Sequence, residues 1–79
     1  MKIERIQTGV RMEKRLVKVL KGTAEYLDMS LGDLLEGIVL HAFDGKERVF
    51  SDETRAKINA LKAVYGCDLD ASMSHKLSE

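Results

Sequence analysis

The sequence lacks most of the features that stabilise a short chain or place it in a membrane. Cys67 is the only cysteine among 79 residues, so no disulfide can form within the chain. No apolar run approaches the roughly 20 residues needed to cross a bilayer, and the N-terminus has no apolar stretch of signal-peptide length. These absences exclude a disulfide scaffold and a membrane span, and they predict a cytoplasmic protein in a reducing compartment.

Residues with the spacing of a catalytic or metal site are also missing. The sequence has no glycine-rich phosphate loop and no paired acid and base, so it offers no candidate catalytic residues. His41, Cys67 and His75 are too dispersed along the chain to suggest a zinc site. We therefore expect neither an enzyme nor a bound metal or cofactor.

The net charge is zero, but the charged residues are unevenly distributed. Residues 1–21 contain seven basic and two acidic residues, a net charge of +5, and the rest of the chain contains six basic and eleven acidic residues, a net charge of −5. A strongly basic segment is typical of a surface that contacts a polyanion such as nucleic acid. A solvated helix face would give the same count, so charge alone leaves both interpretations open.

Residues 5–12, RIQTGVRM, have the alternating pattern of a β-strand with one apolar face. The apolar positions are Ile6, Thr8, Val10 and Met12, and the polar positions between them are Arg5, Gln7, Gly9 and Arg11. No later segment has this alternation, so the predicted strand has no partner within its own chain. Alternative interpretations are an ordinary edge strand or an extension of the helix that follows.

Three helices are predicted after this segment from apolar periodicity and cap residues. The first covers about residues 13–28, and the second begins after Ser30, a suitable N-cap, and ends at Gly45. The third covers about residues 52–65, between Ser51 and Gly66. Residues 67–79 are small and polar, and we expect them to form a flexible tail with little to bury.

The first 45 residues cannot enclose a core alone. Two chains would solve this by pairing their strands antiparallel across a two-fold axis, with the apolar faces of four helices packed beneath. We therefore predict a mainly α domain over residues 1–45 that forms an intertwined homodimer through a two-stranded antiparallel β-ribbon, followed by an extension over residues 46–79. The predicted dimer core consists of Val10, Met12, Leu16, Leu20, Leu27, Leu34, Leu35, Ile38 and Val39.

The sequence resembles the ribbon-helix-helix DNA-binding proteins over about residues 3–44. The resemblance rests on RIQTGVRMEKRL, on the apolar spacing of the first helix, and on the turn LDMSLGDLL. It implies a dimer whose two-stranded ribbon enters the major groove of double-stranded DNA, which is wide enough to admit it. The implied function is that of a sequence-specific transcriptional regulator, a repressor.

The resemblance assigns roles to individual residues. Gln7, Gly9 and Arg11 would face the base edges, and the backbone amides at Ser30 and Leu31 would bind a DNA phosphate. The chemistry agrees, because arginine forms two parallel hydrogen bonds with guanine, glutamine pairs with adenine, and a helix N-terminus attracts anions. The cations expected at the phosphates are Lys2, Arg5 and Lys14.

Two other functions are compatible with the same sequence. The protein could be an antitoxin whose residues 46–79 fold on a toxin, or a small helical adaptor that forms dimers without binding DNA. The stripe formed by Ile58, Leu61, Val64 and Tyr65 on the third helix must cover another surface. We expect it to dock on the dimer itself, and the alternatives are a second dimer or a partner protein.

Overall fold

The computed structural model describes residues 3–45 and 48–73, which form an all-helical structure. Three α-helices follow one another along the chain: α1 (Lys14–Tyr26), α2 (Leu31–Phe43) and α3 (Asp52–Val64). A short 3-10 helix at Ala71–Met73 ends the described part. The three helices predicted from periodicity are confirmed, although α1 is slightly shorter than expected at both ends.

The predicted fold class is wrong, since no strand or sheet occurs among the residues described. Residues 3–13 are neither helix nor strand, and no hydrogen bond between backbone groups joins residues 6–12 to another described residue. Alternation of apolar and polar residues favours an extended backbone, but a strand also requires a neighbouring edge, and residues 3–45 and 48–73 of this single chain do not provide one. The described residues therefore form an all-helical, three-helix structure.

Each helix begins at a side chain that accepts hydrogen bonds from its first turn. The Glu13 carboxylate accepts from the backbone N–H groups of Arg15 at 2.9 Å and Leu16 at 3.2 Å. The hydroxyl groups of Ser30 and Ser51 each accept a bond at 3.1 Å from the amide three residues further on. These caps fix where α2 and α3 start, as the sequence predicts for both serines.

The first two helices end at residues with positive φ angles, which turn the chain out of the helix. Asp28 has a φ of 56°. Its N–H donates to the Glu25 carbonyl at 3.1 Å, and the Met29 N–H donates to the Ala24 carbonyl at 3.0 Å. This pair of bonds is a Schellman motif, in which glycine usually occupies the position of Asp28. Gly45, with a φ of 76°, ends α2 as predicted.

The core of the chain is small and involves α1, α2 and the 3-10 helix. Its buried apolar residues are Ala24 on α1, Leu34 and Leu40 on α2, and Ala71 in the 3-10 helix. None of the described side chains is fully buried. Because a large apolar side chain stabilises the fold by about 1.5–3 kcal/mol when it is fully buried, this core contributes little hydrophobic stabilisation.

Residues 69–72 pack against α2, although the sequence analysis assigned them to a tail with little to bury. The Ala71 N–H donates to Asp44 Oδ2 at 2.8 Å, and Ala71 is only 8% exposed. The Nζ of Lys62 donates to the Leu69 carbonyl at 2.7 Å. The hydrogen bond from the Ala71 backbone to Asp44, at the end of α2, holds the segment against the helix although the side chain of Ala71 is small. Residues 74–79 of the predicted tail lie outside the described residues.

The third helix is attached to the rest of the chain mainly through polar contacts and has no buried residue. Arg55 Nη2 donates to the backbone carbonyl of Asp44 at 2.9 Å. Before the helix begins, the rings of Phe43 and Phe50 pack with their centroids 6.3 Å apart. In the predicted apolar stripe of α3, Ile58 is half-buried, whereas Leu61, Val64 and Tyr65 are exposed.

Candidate nucleic-acid interface

Residues 3–13 form a non-helical segment, here called the arm, that leads into α1. The three residues predicted to contact bases, Gln7, Gly9 and Arg11, are all exposed. A Cβ atom at Gly9 would meet no other atom within 4 Å, so this part of the arm lies in open space. The arm therefore presents an amide and a guanidinium to solvent, which are the groups that recognise the edges of adenine and guanine.

Lysines of α1 continue this exposed polar surface. Lys14, Lys18 and Lys21 are separated by four and three residues, so they lie on one side of the helix, and all three are exposed. We call them the basic face. The only acid between positions 5 and 24 is Glu13, which caps α1 and also accepts a bond from Arg15 Nε at 3.1 Å. Glu13 thus pairs with Arg15 and the helix start and not with the three lysines, whereas Glu25 lies one turn after Lys21 and lines the same groove.

Arg5 is paired with a carboxylate on α2. Its Nε and Nη2 atoms each lie 3.2 Å from a different oxygen of Glu36. The Arg5 side chain is 26% exposed, and that of Glu36 is 39% exposed. The sequence analysis predicts Arg5 as a phosphate contact, and in the structure Arg5 would have to leave Glu36 to make one.

The N-terminus of α2 offers backbone donors to an anion, but acidic side chains surround it. Within the described part of the chain, the amides of Leu31 and Gly32 form no hydrogen bond. The groove beside Leu31 is lined by Lys21, Ser30 and three acids, Glu25, Asp28 and Asp33. The helix dipole and Lys21 favour a phosphate at this position, whereas the carboxylates oppose one.

A second groove, between the arm and the start of α2, brings several predicted site residues together. Its lining includes Arg5, Gln7, Thr8, Ser30, Gly32 and Glu36. Arg11 and Lys14 do not line this groove, and Lys2 lies outside the described residues. The structure thus places Gln7 near the N-terminus of α2 and Arg11 at the beginning of the basic face.

Most of the predicted dimer core is exposed on the single chain. Leu34 is buried, and Leu20 and Leu35 are half-buried. The remaining predicted core residues are exposed, namely Val10, Met12, Leu16, Leu27, Ile38 and Val39. Exposed apolar side chains on the arm, α1 and α2 are typical of a surface that another protein surface covers.

Three acidic residues with structural roles are absent from the sequence-based predictions. Glu13 caps α1, Glu36 binds Arg5, and Asp44 binds the backbone at Ala71. The position of Glu13 could have been found, because acids favour the start of a helix. No local pattern indicates Glu36 or Asp44, because their partners lie 31 and 27 residues away in the chain.

Comparison of the chain with models of protein families, with curated proteins and with solved structures finds no match. The resemblance to ribbon-helix-helix proteins therefore stays a prediction from the quoted motifs. Within residues 3–45 and 48–73, no helix combines the length and apolar character needed to cross a bilayer. Among the same residues, no three side chains of histidine, cysteine, aspartate or glutamate group as metal ligands would.

Proposed function

We propose that the protein is a cytoplasmic, sequence-specific DNA-binding regulator that acts as a homodimer and represses transcription. The observation that carries this proposal is the series of exposed cations between Arg11 and Lys21, a stretch whose only acid, Glu13, is paired at the helix start. The resemblance of the arm and first two helices to a DNA-binding family supports the same function. The paired β-ribbon that this family uses is not part of the proposal.

In the proposed complex, one part of this surface positions the protein on the DNA backbone and another part recognises the bases. Lys14, Lys18 and Lys21 contact phosphates along the backbone, and each contact releases counterions, so the affinity depends steeply on salt. Arg11 donates two hydrogen bonds to a guanine, and Gln7 pairs with an adenine in the major groove. Gly9 contributes no side chain and allows the backbone of the arm to approach the DNA closely.

The backbone amides at the start of α2 are proposed as a further phosphate contact. The support for this contact is that the Leu31 and Gly32 amides are not bonded within the described residues and that Lys21 lines the adjacent groove. The nearby carboxylates of Asp28 and Asp33 weaken the attraction. We therefore assign most of the phosphate affinity to the basic face.

The homodimer is supported by the apolar side chains that the single chain exposes. Six of the nine predicted core residues are exposed, and none of the described side chains is fully buried. A chain this short buries a small fraction of its surface alone, so a second copy that covers these side chains would add to the core. Exposed apolar residues on α1 and α2, such as Leu16 and Ile38, are the natural contacts with a second copy.

Selection of bound fragments from random DNA, followed by binding of variants to single-base changes in the selected site, tests the function. Arg11→Ala should remove roughly 1–3 kcal/mol of discrimination at one base pair per half-site. Lys14→Ala should weaken binding to all sequences alike and reduce the salt slope by about 0.9 for each lost contact, which is about 1.8 for the homodimer. Lys57→Ala, which removes an exposed cation from α3, is the matched control and should change neither quantity.

Two outcomes would count against this assignment. If no sequence is enriched and the protein does not bind DNA at low salt, the proposed function is wrong. If Arg11→Ala lowers every affinity by the same factor, Arg11 is a phosphate contact and the base-contacting surface has been assigned incorrectly.

A second function, recognition of a protein partner such as a toxin by the C-terminal extension, is favoured by one observation. Leu61 and Val64 on α3 and Tyr65 directly after it are exposed, and α3 has no buried residue. Val64→Lys should leave dimer mass, stability and DNA affinity unchanged if the stripe serves a protein partner. If the stripe docks on the dimer, the same change should lower the midpoint of unfolding.

A further inference from the structure

The arm is joined to α2 by a two-pronged ion pair between residues far apart in sequence. Arg5 Nε and Nη2 contact the two Glu36 oxygens at 3.2 Å each, and the partners are separated by 31 residues. A guanidinium that binds both oxygens of a carboxylate is held in orientation as well as in distance. The pair is half-buried, so solvent screens it less than an open surface pair.

This contact is placed where it can control the position of the arm. Arg5 lies two residues before Gln7 and six before Arg11, and residues 6–12 have no backbone hydrogen bond to another described residue. Arg5, Gln7 and Glu36 line the same groove at the start of α2. The stretch that carries the proposed base contacts is therefore fixed at one end by α1 and at the other by the pair with Glu36.

We infer that Glu36 is a positioning residue for base recognition, because by holding Arg5 it determines where the arm presents Gln7 and Arg11; this inference rests on the proposed DNA-binding function. A negative side chain with no such role would only repel DNA, so its removal would tighten binding to every sequence. A positioning role has the opposite consequence. Loss of the carboxylate frees the arm, and ordering the arm again on DNA costs conformational entropy. Gln7 and Arg11 are then held less accurately against the bases, so discrimination between bases falls.

The test compares Glu36→Gln and Arg5→Gln with the double variant and with the exchanged pair, Arg5→Glu with Glu36→Arg. Each single variant should reduce the affinity ratio between the best site and a single-base variant by about tenfold, and the double variant should lose no more than either alone. The exchanged pair should recover most of the ratio. Glu25→Gln removes an exposed acid away from the arm and should raise all affinities equally, which controls for charge.

The salt slope separates positioning from direct contact. If Arg5 were a phosphate contact in the complex, Arg5→Gln would lower the slope by about 0.9 per subunit, about 1.8 for the homodimer, and Glu36→Gln would increase affinity. Positioning predicts an unchanged slope for both variants. A retained affinity ratio in Glu36→Gln, or a ratio that the exchanged pair does not recover, would overturn the inference.

A measurement without DNA distinguishes failure of this inference from failure of the proposed function. Backbone ¹⁵N order parameters of Gln7 and Gly9 should fall from about 0.8 to below about 0.6 when Glu36 is replaced by Gln, because the arm gains fast motion. Unchanged order parameters would show that Glu36 does not anchor the arm, whatever the DNA affinity. A wild-type protein that does not bind DNA would overturn the proposed function and the recognition role of Glu36 together. The order parameters would still show whether the pair of Arg5 and Glu36 holds the arm.

Discussion

Replacement of Ile38 by alanine distinguishes a single folded chain from a homodimer more directly than any other change. Ile38 lies on α2 and is 48% exposed on the single chain, whereas Leu34, one turn earlier on the same helix, is 8% exposed. The two side chains are similar in size and share a helix. They therefore form a matched pair: Leu34 is buried within its own chain, whereas only a second copy could bury Ile38.

The expected magnitudes follow from these two exposures. For a monomer, Ile38→Ala alters a half-exposed side chain and gains helix propensity, so the free energy of unfolding should change by no more than about 0.5 kcal/mol. If a second copy covers Ile38, the change should cost about 2–5 kcal/mol per site, and it occurs twice in each dimer. Leu34→Ala should cost about 2–5 kcal/mol in either case.

The assay is urea unfolding of both variants and the wild type over a hundredfold range of protein concentration. For a dimer that folds as it assembles, the wild-type midpoint rises with concentration, since each tenfold increase stabilises the dimer by about 1.4 kcal/mol. Ile38→Ala should lower the midpoint at every concentration. A neutral Ile38→Ala, a costly Leu34→Ala and a midpoint independent of concentration would together refute the homodimer.

Four further predictions follow from individual contacts. Asp28→Gly should raise the free energy of unfolding by about 1 kcal/mol because it removes the strain of a positive φ angle; an unchanged urea midpoint would contradict this. Asp33→Asn should lower stability by about 0.3–1 kcal/mol through the helix dipole and tighten DNA binding in titrations at fixed salt, and unchanged affinity would place no phosphate at α2. Asp44→Ala should cost about 1.5–3 kcal/mol and speed amide hydrogen exchange at Ala71, and slow exchange at Ala71 would show another acceptor. Deletion of residues 48–79 should lower the thermal midpoint yet leave a dimer that binds DNA, and complete retention of stability would show that α3 and Ala71 do not support the fold.

The helices were predictable because their boundaries depend on nearby residues. Ser30 and Ser51 accept bonds from amides three residues away, and Gly45 has the positive φ that the end of α2 requires. Apolar periodicity then places each helix between its start and its stop. All of this information lies within a few positions of the sequence, so no tertiary contact has to be known.

The structure of the arm could not be predicted from the local pattern of apolar and polar residues. Alternation in residues 5–12 describes the two faces of an extended chain, but strand formation depends on a partner edge that the alternation does not specify. In the candidate site, too, the sequence pattern describes local features but not contacts with distant residues. Residues 6–12 are all exposed, so exposure does not distinguish the polar face from the apolar one, and the pairing of Arg5 with Glu36 depends on how the arm returns to α2.

The packing of residues 69–72 was missed for a different reason. Residues 67–79 contain few large apolar side chains, and small side chains give little indication that a segment packs. Ala71 is nevertheless buried, because its backbone N–H reaches Asp44 and its methyl group fits against α2. Backbone hydrogen bonds of this kind have no signature in hydropathy.

The attachment of α3 by polar contacts has a consequence for how the molecule opens. Arg55 donates to the carbonyl of Asp44, Lys62 donates to the carbonyl of Leu69, and no residue of α3 is buried. Detachment of this helix therefore exposes little new apolar surface, so it should have a small heat-capacity change and a denaturant slope near zero. In native-state hydrogen exchange, the amides of α3 should open at a free energy below that of global unfolding and almost independent of urea, as a separate cooperative unit.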